Sequence, residues 1–141
     1  SIARERRGEV AFQLLLYPLL QLVEVKKARP RWQEGPFLST ATLKQIKKQY
    51  VRDADPADPR ISPLMAEDLK GVAPAYMLAA ELDPLTDEGK VYADRLQAYG
   101  VKVEGVEHKG VPHGFLSASR LFSACIPALE GAARALARAF D

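Results

Sequence analysis

Two short apolar segments without polar alternation constrain the fold of this chain more than any other feature. Residues 10–18 (VAFQLLLYP) form one such segment, and residues 73–82 (APAYMLAAEL) form the other. The first segment stops at Pro18, and Asp83 closes the second. Apolar runs of this length are typical of strands that are buried on both faces of a parallel sheet. We therefore expect two inner strands at these positions.

Between and after these segments the sequence has helical periodicity. Residues 39–50 predict a short helix that Ser39 or Thr40 caps. A longer helix is expected between Pro84 and Gly100, because proline favours a first helical position and glycine a helix end. Its apolar stripe comprises Leu85, Gly89, Tyr92, Leu96 and Tyr99. The final helix is predicted at residues 123–140, with Cys125, Leu129, Ala132, Leu136 and Phe140 facing inward.

A third strand completes the predicted order of elements. Residues 101–108 (VKVEGVEH) alternate apolar and polar side chains, which indicates a strand nearer an edge, and a Gly/Pro loop follows at residues 110–114. Strands that alternate with helices predict an α/β fold of about three parallel strands flanked by helices. The strand edge near Val10 would then need covering. This edge, and a start at residues 1–7 that resembles the end of a helix, lead us to expect a missing half upstream.

Composition excludes several classes of function. The net charge is only +2 and the basic residues are scattered, so nucleic acid is not expected as a partner. The longest apolar run, residues 14–20, is too short to span a bilayer. Cys125 is the only cysteine, so no internal disulfide can form, and a cytoplasmic location is expected.

Two titratable residues follow neighbouring strands of the predicted sheet. Asp83 directly follows the second strand, and His113 lies thirty residues later, in the loop after the third. Because sites gather at the carboxyl ends of parallel strands, these two side chains can meet there. A carboxylate beside an imidazole holds one tautomer and stabilises the imidazolium that forms on proton transfer.

Structural explanations exist for the same residues. An aspartate before proline at a helix start commonly caps that helix. A histidine in a Gly/Pro loop is often structural or simply exposed. His108 and His113 together lack further Cys or His ligands, so no metal site is expected. Phe115 and Leu116 are predicted to line the pocket beside His113, with core packing as the alternative.

Four motifs in this order resemble the hormone-sensitive-lipase-like family of α/β-hydrolase esterases. They are LLYP at residues 15–18, ISPL at 61–64, DPLTDEG at 83–89 and HGF at 113–115. The resemblance implies that residues 1–141 form the C-terminal half of one α/β-hydrolase domain. It also implies a small apolar ester substrate and no cofactor. By analogy with the family, a homodimer would pair through residues 101–108 and 123–140.

The same resemblance implies that Asp83 is the triad acid and His113 the general base of a serine esterase. None of the serines has the glycines of a Gly-x-Ser-x-Gly nucleophile elbow around it, and the His-Gly-Gly-Gly oxyanion motif is absent from the sequence. We therefore expect the nucleophile upstream of residue 1 and negligible turnover by this chain alone. The alternatives are part of a serine peptidase or acyl-peptide hydrolase, and an inert binding or regulatory remnant.

Overall fold

The computed structural model describes residues 2–24 and 37–141. In chain order the elements are α1 (Ile2–Glu5), β1 (Gln13–Leu16), α2 (Thr40–Val51), β2 (Ala75–Leu82), α3 (Thr86–Ala98), β3 (Val103–Pro112) and α4 (Cys125–Ala137). Single 3-10 turns occupy Pro63–Met65 and Phe115–Ser117. Within the described ranges, no helix is long and apolar enough to cross a membrane.

The strands form one sheet in the order β1-β2-β3, and both neighbouring pairs are parallel. Gln13 of β1 pairs with Ala75 of β2, which in turn pairs with Val103 of β3. Strand β2 is therefore central, and β3 lies at an edge of the described sheet, as the alternation of its residues predicts. The α/β class, with three parallel strands flanked by helices, is confirmed.

Strand β2 contributes to the core on both of its faces, because successive side chains of a strand point to opposite sides. Tyr76, Leu78 and Ala80 pack on the side of α4, whereas Ala75 and Met77 pack on the side of α3. The α3-side cluster also contains Leu20, Ala66, Leu69, Val72, Tyr92, Leu96 and Val101. This two-sided burial explains why residues 73–82 have no polar alternation.

The inward face of α4 differs from the predicted one. Its buried residues are the small side chains Cys125, Ala128, Ala132 and Ala135. The larger residues expected inside are exposed, with relative exposures of 41% for Leu129, 38% for Leu136 and 70% for Phe140. Small residues let the helix lie close to β2: a Cβ on Gly131 would be 3.2 Å from the Tyr76 hydroxyl. The prediction is therefore confirmed for Cys125 and Ala132 and wrong for the three larger residues, which periodicity alone favoured.

Two strand boundaries also differ from the expectation. Strand β1 spans only Gln13–Leu16 and is half-buried rather than buried on both faces, because β2 is its only neighbour in the described residues. Strand β3 continues to Pro112, through most of the expected loop at residues 110–114. Helix α3 begins at Thr86, two residues after Pro84, and Gly100 follows it with a φ of 77° as a helix-ending glycine does.

A buried hydroxyl joins the loop before β2 to the segment after β1. Ser62 is fully buried, and its Oγ donates to the Pro56 carbonyl at 2.6 Å. The same oxygen accepts from the Leu22 amide at 2.8 Å. The Leu64 amide donates to the Leu20 carbonyl at 2.9 Å beside it. These bonds hold the chain that leaves β1 against the α3 side of the sheet.

We expect Ser62→Ala to lower the free energy of unfolding by about 1–3 kcal/mol, because the buried Leu22 amide loses its acceptor. Denaturant unfolding of the variant and the parent chain measures the difference. Ser119→Ala is the matched control, since Ser119 is exposed, and its effect should stay within about 0.5 kcal/mol. Equal stabilities of the two variants would contradict the role of the Ser62 bonds.

Candidate active site

A carboxylate and an imidazole meet at the carboxyl ends of β2 and β3. Asp83 follows the last residue of β2, and His113 follows the last residue of β3. The distance from His113 Nδ1 to Asp83 Oδ2 is 2.8 Å. The Asp83 side chain is only 1% exposed, whereas that of His113 is 24% exposed. The contact expected from the strand order is present, while the catalytic role of the pair stays a prediction.

The Asp83 carboxylate has two partners, one for each oxygen. Oδ1 accepts from the Leu85 amide at 2.8 Å, while Oδ2 contacts His113. At the first residue of α3, the Thr86 amide donates to the Asp83 carbonyl, and the Thr86 hydroxyl donates to the Ala80 carbonyl. Helix capping and histidine contact were alternatives in the sequence; α3 has no side-chain cap, and the Asp83 carboxylate bonds His113 together with the amide of Leu85, the residue just before the helix. Its rotamer is fixed as a result.

The loop after His113 turns sharply into the core. Gly114 has a φ of 77°, in the left-handed region that favours glycine. Phe115 is then fully buried, and Leu116 is half-buried with its carbonyl accepting from the Cys125 thiol at 3.2 Å. The buried Phe115 ring anchors the loop in the α4-side core. Whether Phe115 or Leu116 also contacts a substrate stays a prediction.

Tyr17 is the residue of this site that the sequence reasoning missed. Its ring centroid lies 4.7 Å from that of His113 and 6.2 Å from that of Phe115. Tyr17 follows β1 and has a φ of 36°, which is strained for a residue with a side chain. The signal available in the sequence was the Tyr17-Pro18 pair at a strand end, the same edge of the sheet at which Asp83 and His113 were sought.

The Tyr17 hydroxyl stays protonated near neutral pH. Burial raises the pKa of Tyr17 above its ordinary value of 10.0, and the nearby Cys125 and Asp83 raise it further. A neutral phenol places no second negative charge beside the Asp83 carboxylate. Tyr17 therefore packs against His113 as a neutral aromatic side chain.

Three other titratable side chains, His108, Asp87 and Glu88, lie apart from this contact. The His108 ring lies 5.6 Å from the Phe115 ring, and its Nε2 is buried with no hydrogen-bond partner among the described residues. Asp87 and Glu88 belong to the first turn of α3, and Glu88 accepts a hydrogen bond from Gln21. Residues 2–24 and 37–141 contain no group of three or more side chains that could hold a metal ion.

Comparison with known proteins gives the class of this chain. Residues 1–117 match the model of a family described as the alpha/beta hydrolase fold, and the chain belongs to that family. It is 40% identical over 111 residues to the carboxylic ester hydrolase LipN of Mycobacterium tuberculosis, covering 77% of this chain and 30% of LipN. It is 38% identical over 105 residues to the ethyl acetate hydrolase of Pseudomonas putida, covering 74% of this chain and 33% of that protein.

A solved structure supports the same family at the level of the backbone. The ester-hydrolase EH1AB1 from the metagenome of Lake Arreo, solved with a derivative of bipyridine phosphonate, superposes with a TM-score of 0.86. The identity is 40%, and the match covers 98% of this chain and 45% of that one. The chain thus spans less than half the length of these relatives. The resemblance to hormone-sensitive-lipase-like carboxylesterases inferred from the motifs is supported.

We expect Gly114→Ala to lower the free energy of unfolding by about 1–2 kcal/mol, because an L side chain is strained at its φ of 77°. No atom lies within 4 Å of the added Cβ, so the cost comes from the backbone alone. Gly105→Ala is the control, since its Cβ also meets open space but its φ lies outside the left-handed region. Denaturant unfolding compares the two, and equal losses would refute the backbone explanation.

Proposed function

We propose that this chain supplies the acid and the base of a serine-dependent carboxylic ester hydrolase. The observation that carries the proposal is the 2.8 Å contact between His113 Nδ1 and a buried Asp83 carboxylate. The reaction type is inferred from the relatives LipN and ethyl acetate hydrolase, because both are named as ester hydrolases. The chemistry follows from which atom of the imidazole the carboxylate engages.

The carboxylate determines what His113 does with its proton. With Asp83 accepting from Nδ1, the neutral imidazole keeps its lone pair on Nε2. Nε2 then takes the proton of an attacking hydroxyl and later gives it to the leaving alkoxide, while the carboxylate stabilises the intermediate imidazolium. Water repeats the cycle on the acyl ester and releases the acid. Both groups are side chains of this chain, and the proposed reaction needs no cofactor.

The hydroxyl itself is proposed to come from a further segment of the protein. None of the serines in the sequence lies in a Gly-x-Ser-x-Gly motif, and Ser62 is buried with its hydroxyl bonded to the Pro56 carbonyl. An N-terminal half of the hydrolase would carry the nucleophile and the oxyanion donors. The free edge of β1 in the described sheet is where such a half would add its strands.

The proposal extends to substrate, assembly and location. A small apolar ester is favoured by the relative named for ethyl acetate. A homodimer through β3 and α4 is consistent with the edge position of β3 and with the exposed Leu129 and Leu136. A cytoplasmic location agrees with Cys125, a free thiol that donates to the Leu116 carbonyl.

The test uses the longest reading frame that includes residues 1–141. We expect a Gly-x-Ser-x-Gly motif upstream of residue 1 and hydrolysis of short nitrophenyl esters by the encoded protein. Asp83→Asn and His113→Ala should each lower kcat/KM by about 10³–10⁴-fold, because each removes the oriented base. Residues 1–141 alone should show no turnover above background.

Glu104→Gln is the matched control, since Glu104 lies on β3 but pairs with Arg138 on the surface, and its activity should equal that of the parent. An upstream stop codon without the serine motif would contradict the proposal. If the protein cleaved peptide anilides faster than esters, its activity would be that of a peptidase and not of an ester hydrolase. If the protein bound ligands but showed no turnover, it would be an inert binding remnant of the fold.

A further inference from the structure

The ladder between β2 and β3 is interrupted just before the site. Pairing stops at Ala80 with His108 and resumes at Leu82 with Pro112. Between these two pairs β2 has one residue, whereas β3 has three, residues 109–111. We call these three residues the β3 bulge. Bulges of this kind bend a strand and re-aim the side chains that follow, and they are frequent next to active sites.

The β3 bulge decides which residue lies opposite Asp83. A ladder without the bulge would continue in register and place Val111 there. With the bulge, Leu82 pairs with Pro112, and the next position on each strand holds Asp83 and His113. Neighbouring strands lie about 4.8 Å apart, which lets side chains at such facing positions form a hydrogen bond. The extra residues of β3 therefore have to be held in the bulge for the pair to meet.

One side chain accepts a hydrogen bond from the backbone of the bulge. Gly110 has a φ of 69°, a conformation that glycine adopts without strain. Its amide donates to Glu81 Oε2 at 2.9 Å, and Glu81 is the β2 residue that faces the bulge. The other oxygen, Oε1, lies 3.9 Å from Lys109 Nζ, but both side chains are well exposed, at 39% and 72%. An exposed ion pair of this length contributes little, so the hydrogen bond to the amide is the main contact.

We propose that Glu81 is a positioning residue: by accepting from the Gly110 amide it holds the β3 bulge and so keeps His113 opposite Asp83. Glu81 lies two residues before Asp83 and contacts neither reacting group in the proposed mechanism. It acts through the backbone of β3, and the acceptor oxygen matters more than the charge. The catalytic meaning of this role rests on the proposed function, whereas the geometric role does not.

Nuclear magnetic resonance of the labelled protein that is encoded by the longest reading frame including residues 1–141 tests the proposal. In Glu81→Ala the Gly110 amide should exchange with solvent about five- to tenfold faster, because it loses its acceptor. The low-field Nδ1 proton resonance of His113, which reports the bond to Asp83, should weaken or disappear. Glu81→Gln keeps an acceptor oxygen and should retain the parent spectrum at both positions.

Lys109→Ala is the matched control, because it removes the ion pairs of Lys109 with Glu81 and Glu107 and leaves the hydrogen bond from the Gly110 amide to Glu81, and it should also retain the parent spectrum. Gly110→Ala strains the bulge without touching Glu81, and we expect it to weaken the same His113 resonance. This variant decides the matter if Glu81→Ala fails to fold, as judged by thermal unfolding. A full-strength resonance in folded Glu81→Ala, or in Gly110→Ala, would overturn the positioning role, as would its loss in Lys109→Ala.

The result of the Glu81 test does not depend on whether the proposed function is correct. If the full-length protein were inactive, the proposed ester hydrolase activity would be wrong, but the spectra would still test the role of Glu81. Conversely, an unchanged spectrum in Glu81→Ala would remove the positioning role, although Asp83 and His113 could still serve as acid and base. In an active full-length protein, Glu81→Ala should lower kcat more than it raises KM, because the proposed role of Glu81 is to hold the base in place.

Discussion

The Asp83 carboxylate is the group on which the arrangement of this site depends. The Asp83 side chain is only 1% exposed. A carboxylate that is buried so deeply is tolerated only when its oxygens accept hydrogen bonds, and each oxygen of Asp83 has its own partner. The Leu85 amide ties the carboxylate to the start of α3, and His113 ties it to the end of β3. Three elements of the fold therefore converge on one carboxylate, and removing either partner would leave a poorly compensated charge in the core.

The rest of the molecule holds these partners in place from different directions. Strand β2 is apolar on both faces, so helices pack on either side of it and leave its carboxyl end as the meeting point. The small inward residues of α4 bring that helix close to β2, and the buried Phe115 fastens the loop after His113 to the same layer. From β1, Tyr17 adds an aromatic face to the imidazole at the cost of a strained backbone.

Local patterns predicted the parts of this fold that depend on neighbouring residues. The missing alternation in residues 73–82 predicted the central strand, and the alternation after Val101 predicted the edge strand. Patterns failed where packing distance decides: α4 buries Ala128 and Ala135 instead of Leu129 and Leu136, since a close approach to the sheet excludes large side chains. The end of β3 was missed because glycine and proline indicate a loop, whereas a bulge accommodates them within a strand.

The sequence by itself determined the fold class, the order of the strands and the two side chains at their ends, because hydrophobic period and chain order are local properties. Only the tertiary structure decided how Asp83 divides its oxygens between the Leu85 amide and His113. It also decided that Tyr17 lies against the imidazole and that Glu81 faces the bulge of β3. These contacts join residues far apart in the chain, and their existence depends on strand register, which no local pattern encodes.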